Sequence, residues 1–240
     1  TVKGEAKFGG NSYSGHLDMR LEGGSLVGKG SFNANRNQYA VDADFTNFPV
    51  RAIMPLAPVD HLTAHVKADG HGFDFLKAST AVNADVNLGS VTYDGMTYRD
   101  ITAQVNMNAG DVTARVNSNN PNCNLFMDAQ GKIQGERYIF NVNGNIRDFD
   151  ANALGFTDFP LNGTGEIAAF VDYDTRTKNC EFNADLNHIN WNYDGTQLVS
   201  ENTELRFVSN DSTVEAFVDN EETHLDFKAE CGLDEFMKNI

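Results

Sequence analysis

Three histidines stand close together in this 240-residue sequence, His61, His65 and His71, and histidine is the residue type best suited to hold a metal ion or move a proton. On a helix, the H-x-x-x-H spacing of His61 and His65 would turn both imidazoles toward one zinc ion. Here Leu62, Ala64 and Val66 alternate between and beside them, so the segment reads as a strand. At about 3.3 Å per residue the two rings stand roughly 13 Å apart and cannot share an ion. They read as solvent-facing polar residues, and His16, His188 and His224 are scattered. The pairs Asp148/Asp150 and Asp172/Asp174 have the right type for acid–base work or calcium. No EF-hand loop or glycine–aspartate array surrounds them, and they read as solvated turns. Asn162-Gly163-Thr164 and Asn210-Asp211-Ser212 fit the glycosylation triplet, which is frequent by chance. Gly28-Lys29-Gly30 reads as a turn too short to cradle phosphate. Cys123, Cys180 and Cys231 form no C-x-x-C pair, and lone cysteines mostly pack as small hydrophobes. Cys180 is in phase with Phe182 and Ala184, whereas Cys231 is out of phase with Leu225, Phe227 and Ala229. No catalytic residue, no metal-ligand set and no cofactor motif emerges, so the expectation is a protein that is not an enzyme.

The elements that carry these residues are strands. Turn-forming glycine and asparagine are abundant, at 21 and 28 residues, and Phe and Tyr contribute 17 and 7. With 40% hydrophobic residues the chain has material for a folded core. Lys+Arg 18 against Asp+Glu 34 leaves a net charge of -16, which excludes a nucleic-acid partner and disfavours an anionic membrane surface. No apolar stretch approaches the roughly 18 residues of a membrane span, and no signal-peptide pattern is present. The sequence enters directly into strand-like Val2–Phe8, which reads as a piece of something longer.

The dominant period is two. Leu17-Met19-Leu21, Ile101-Ala103-Val105-Met107 and Ile167-Ala169-Val171-Tyr173 are examples of many such runs. Alternation of this kind means strands with one apolar and one wet face, rather than the continuous apolar runs of a parallel sheet covered on both sides. Turn signals such as Glu22-Gly23-Gly24, Tyr93-Asp94-Gly95 and Ala109-Gly110-Asp111 separate the runs at hairpin distance. The expected fold is all-β, a long antiparallel meander. Arg51–Leu56 and Asp150–Leu154 could each hold a helical turn. Leu233, Phe236, Met237 and Ile240 are spaced for the start of a helix over 233–240.

The sequence also echoes itself. Ala84-Asp85-Val86-Asn87 and Tyr93-Asp94-Gly95 return one hundred residues later as Ala184-Asp185-Leu186-Asn187 and Tyr193-Asp194-Gly195. Phe48 with its short helix answers to Phe149 with Ala151–Leu154. Two copies of one unit are expected, about 30–131 and 131–232, within a single domain spanning 1–240. Val86 and Leu88 are out of register with Val91 and Tyr93, as Leu186 is with Ile189, Trp191 and Tyr193, so each copy should carry a β-bulge there.

The stretch VTYDGMTYRDITAQVNMNAGDVTARV and its echo INWNYDGTQLVSENTELRFVSNDSTVEAFV, set in an Asn/Gly-rich meander, resemble the AsmA-like/TamB superfamily over roughly 30–232. The resemblance implies a bacterial envelope protein, anchored in the inner membrane by a segment absent here and crossing the periplasm. Its sheet would curl, taco-like and open, around an apolar groove that conducts phospholipid to the outer membrane and supports outer-membrane biogenesis. The partners would be phospholipid acyl chains and an outer-membrane protein, and free sheet edges would allow an edge-to-edge homodimer. On that reading the alternating positions line the groove: Val41, Ala43, Phe45, Leu62, Val66, Ile101, Val105, Val112, Val116, Phe140, Val142, Ile167, Val171, Ile189, Trp191, Leu205, Phe207, Val214, Val218, Leu225 and Phe227. The alternative is a closed, dry β-sandwich repeat, structural or adhesin-like, binding glycan or protein at the cell surface. A glycan platform needs exposed aromatics on the polar face, and Trp191 is in phase with the apolar one.

Overall fold

A computed structural model describes residues 1–236 and Lys238. The expected helix is present as the single turn α1 (Leu233–Phe236), while Met237 and Ile240 lie outside the described residues. Fifteen strands make up the rest: β1 (Val2–Gly9), β2 (Ser12–Leu21), β3 (Gly24–Asn33), β4 (Gln38–Pro49), β5 (Val59–His71), β6 (Ala81–Tyr93), β7 (Met96–Asn108), β8 (Asp111–Asn120), β9 (Cys123–Gln134), β10 (Arg137–Asp150), β11 (Leu161–Asp174), β12 (Cys180–Tyr193), β13 (Thr196–Ser209), β14 (Val214–Asp219) and β15 (His224–Ala229). They form one antiparallel sheet that is not closed, in strict chain order, so each strand is hydrogen-bonded to its neighbours in sequence.

That topology follows from the turns. Two-residue antiparallel hairpins of type I′ need both turn residues at positive φ, which glycine adopts freely and Asp or Asn tolerate. Asp94-Gly95 (φ 47 and 82) and Asp194-Gly195 (φ 45 and 84) meet that requirement, as do Glu22-Gly23 and Ala109-Gly110. After β4 the chain leaves the ladder through a 3-10 turn (Val50–Ala52), and Arg51 anchors it by an ion pair to Asp60 at 2.8 Å. After β10 the corresponding segment closes as turns. Leu154 N–H donates to the Asp150 carbonyl at 3.1 Å, and the Asp150 carboxylate takes the Ala153 N–H at 2.9 Å. No helix forms there.

Both expected bulges are present as register shifts. Thr63 faces Ser90 and Ala64 faces Leu88, skipping Gly89. Thr164 faces Asn190 and Glu166 faces Asn187, with His188 at φ 51. Some expected turns fall within strands. Asp148 and Asp150 belong to β10, where Asp148 faces Asn124. Gly28-Lys29-Gly30 is not a turn but the middle of β3, where the two glycines lie on the apolar face and Lys29 on the polar face, 3.3 Å from Asp42.

Contacts divide the chain into two units, residues 1–109 with 114–120, and 110–113 with 121–240. Residue 131, where the sequence echo divides, falls inside β9. Among the described residues, buried apolar side chains are few in either unit: Ala43, Phe48, Ala64 and Met107 in the first, and Ile133, Ala151, Leu154, Ala184 and Val214 in the second. Four of those nine are alanines.

Candidate apolar sheet face

Strand register builds the site. In the first unit, residues directly opposite one another across β1 to β7 form rows perpendicular to the strands, and alternate rows share a face. One row reads Gly4, Leu17, Gly28, Ala43, Val66, Val86 and Ala103. The next on the same face reads Ala6, Gly15, Gly30, Val41, Ala68, Ala84 and Val105. A third holds Met19, Leu26, Phe45, Leu88 and Ile101. Between them, on the other face, runs a row of polar and charged side chains: Glu5, His16, Lys29, Asp42, Lys67, Asp85 and Gln104. So Val41, Ala43, Phe45, Val66, Ile101 and Val105 share one apolar surface. Leu62 joins a further row with Phe48 and Val91.

In the second unit Val142, Leu205, Val218 and Leu225 lie in one row with Ala129, Ala169 and Ala184. Phe140, Val171, Phe207 and Phe227 lie in the next, with Gly131, Phe182 and Ala216. Ile167 sits between Gly144 and Leu186, and Val214 faces Ser209 and Ala229. Trp191 occupies a row with Phe149, Gly163 and Leu198, its ring 5.9 Å from Phe149, and Ile189 faces Ser200. Val112 and Val116 are half-buried on β8.

These surfaces are not sealed. Val41 is 39% exposed, Val105 37%, Leu225 54% and Phe227 44%. Most of the remaining expected positions are half-buried, and only Ala43 and Val214 are buried outright. A hollow of about 520 Å³ in the first unit is walled almost wholly by carbon, chiefly Ala6, Leu17, Leu26, Val41, Ala43 and Phe45 with glycines between. Sequence reasoning found its β4 wall and missed the wall formed by β1 to β3. The signal was present: Gly4, Gly15, Gly28 and Gly30 keep the apolar phase, but glycine carries no hydropathy to mark a face. In the second unit glycines seat large neighbours. A Cβ on Gly163 would stand 2.6 Å from the Trp191 ring, and one on Gly165 2.7 Å from Ile189.

A second feature escaped the sequence reading. Phe8, Tyr13, Phe32 and Tyr39 make a fourth apolar row at the strand ends, and Phe73 from the β5–β6 loop closes on it, 5.1 Å from Tyr39 and 6.0 Å from Phe32. Phe8 is 76% exposed. Burial of the Tyr39 phenol, with Asp69 nearby, pushes its pKa up. On the polar face two troughs of about 810 and 560 Å³ run along the same strands, lined by hydroxyl, amide and charged side chains such as Ser14, Ser31, Asp69 and Lys7.

Several of the polar residues singled out for chemistry are engaged in the fold. His65 Nδ1 lies 2.8 Å from Asp44 and Nε2 3.9 Å from Asp42, on the polar face. Asp172 is not in a turn: it lies within β11, where Arg137 Nε donates to it at 2.7 Å and a second guanidinium nitrogen meets its other oxygen. That pairing holds the Asp172 carboxyl below the usual carboxylate range. Asp174, at the end of β11, takes the Arg176 and Thr177 N–H groups at 2.9 and 3.0 Å and is lowered by them, the Thr177 bond foremost. Cys180 occupies the apolar row with Tyr173 and Ser209, and burial raises its thiol pKa. Among the described residues the three cysteines form no disulfide.

Comparison with protein-family models, with curated proteins and with solved structures finds no match to this chain.

Proposed function

We propose that the apolar face receives phospholipid acyl chains, and that the chain is the periplasmic, lipid-conducting part of an envelope-bridging protein like those of the AsmA-like/TamB superfamily. On this reading it passes phospholipid between inner and outer membranes, with an anchor in the inner membrane and a protein partner at the outer one. The observation that carries the proposal is the incomplete burial of most of the larger aliphatic side chains in these rows, on one face of a sheet that is not closed. Apolar surface left to water costs roughly 25 cal/mol per Å², and large exposed apolar patches mark binding surfaces. An acyl chain leaving a bilayer faces about 0.8 kcal/mol per methylene. Rows of Val, Leu, Ala and Gly with no fixed polar anchor offset that cost without holding a headgroup, which suits passage over tight capture.

A photoreactive diazirine side chain placed at Val105 on the apolar face, or at Gln104 on the polar face, tests the reading. Incubated with vesicles of phosphatidylethanolamine and phosphatidylglycerol and irradiated, the position-105 protein should carry crosslinked phospholipid and the position-104 protein should not. Equal labelling at the two positions, or none at 105, would refute lipid contact by this face.

A further inference from the structure

One stretch of backbone inside the second unit lacks a strand partner. β13 is 14 residues long and pairs with β12 from Thr196 to Ser209, but β14 covers only Glu204–Ser209. Among the described residues, Thr196–Thr203 therefore has a ladder on one side alone. The two-residue Asp194-Gly195 turn makes Tyr193 and Thr196 a hydrogen-bonded pair, and the pattern alternates from there. Gln197 and Val199 thus point their N–H and C=O groups away from β12. The next residue in that series agrees, since Glu201 N–H leaves the sheet and is taken by the Glu221 carboxylate at 3.0 Å; the alternation ends there, because Asn202 N–H, due to face β12, turns to the same carboxylate at 2.9 Å beside Ser200 Oγ at 2.8 Å. These bonds, Asn202 foremost, hold Glu221 below the usual carboxylate range. Glu221 closes the inner end of the gap and leaves Gln197 and Val199 open.

Two further observations describe what fits. The apolar row Phe149, Gly163, Trp191 and Leu198 stops at the gap, where Leu198 is 52% exposed and Val199 65%. The surroundings are mainly acidic: Asp194, Glu201 and Glu221 flank the edge, Glu201 lying 3.9 Å from the His188 ring, and Thr196–Thr203 contains no Lys or Arg. Sheet edges are normally guarded by lysine, proline, a bulge or a cover, and among the described residues Gln197 and Val199 have none of these.

We propose that the Thr196–Val199 edge of β13 is a strand-addition site for an extended segment of a partner protein with alternating apolar and basic side chains. The backbone of that segment continues the ladder at Gln197 and Val199. Its apolar residue extends the Trp191–Leu198 row, and its basic residues meet Glu201 and Asp194. Main-chain bonds supply affinity and the alternating side chains supply specificity. The site does not depend on the lipid reading.

The test uses a blocked heptapeptide of alternating lysine and valine, with a glutamate–valine peptide as control, and amide hydrogen exchange followed by NMR. The lysine peptide should slow exchange at Gln197 and Val199 at least tenfold and leave Glu201 unchanged. Val199→Pro removes an N–H that faces the gap rather than β12, so it should keep the fold and weaken binding at least tenfold. Val199→Lys, which keeps the N–H but repels a basic strand, should weaken it similarly and serves if the proline variant does not fold. No protection at Gln197 and Val199, equal protection by the glutamate peptide, or undiminished binding to both variants would overturn the proposal. Protection that grows with protein concentration alone would also overturn it, by giving the edge to a second copy of the chain.

Discussion

Replacing Val41 by glutamate separates an open apolar face from a dry core in one measurement. Val41 sits in the first half of β4, 39% exposed, in a row whose other members are Ala6, Gly15, Gly30, Ala68, Ala84 and Val105. Full burial of a valine is worth about 1.5–3 kcal/mol, so losing the buried part of this one costs roughly 1–2 kcal/mol. The small neighbours leave the new carboxylate a path to water, so no desolvation penalty is added. For a chain of this length that loss lowers Tm by about 2–8 °C. In a closed core the same carboxylate would add several kcal/mol, a large share of the 5–15 kcal/mol that holds a domain together. Thermal melting by circular dichroism reads the stability, and native mass spectrometry after incubation with phosphatidylethanolamine reads bound lipid. The expected result is a folded variant with a modestly lowered Tm and lost lipid adducts. A variant that fails to fold would refute the open-face argument. A folded variant with undiminished adducts would refute the role of this row in lipid contact.

Gly163→Ala should destabilise by about 1–3 kcal/mol in urea titrations, because its Cβ would meet the Asn190 carbonyl and the Trp191 ring at 2.6 Å and the row would have to shift. The Asp172 pKa is lowered in the fold, so its pairing with Arg137 stabilises fully above the ordinary carboxylate value near 4 and is lost as pH falls through the lowered value. Asp172→Asn should therefore be less stable than the parent at pH 7, by no more than about 1 kcal/mol because the guanidinium is half in water, and the gap should close in strong acid. His224 is raised, first by Asp219 and then by Asp226, so its stabilisation is complete below the ordinary value near 6.5 and is lost as pH rises through the raised one. An NMR titration should place its midpoint above that of a free histidine, and Asp219→Asn should bring it down.

Much of the architecture was legible in the residues because the signals are local. Period-two alternation makes two-faced strands wherever it occurs, and Asp94-Gly95 and Asp194-Gly195 set hairpins by their own backbone preferences. Short turns then force chain-order neighbours to pair, so the meander needs no long-range information. Even the bulges near Gly89 and His188 showed as a phase slip in the apolar pattern. Other features depend on pairing register, which the sequence does not spell out. Glycines at 28 and 30 belong to β3 because β4 supplies hydrogen bonds and Ala43 and Val41 beside them, although in isolation they look like a turn. Asp172 looked like a solvated turn residue until register brought Arg137, 35 residues away, onto its carboxylate. The aromatic row needs four strands aligned and a loop folded back before Phe73 reaches Tyr39. The gap beside Gln197 and Val199 arises from a length mismatch between β13 and β14, and that mismatch exists only once the strands are paired. Alternation and turn chemistry thus specified the sheet and its two faces, and pairing decided which side chains meet and which backbone groups are left facing water.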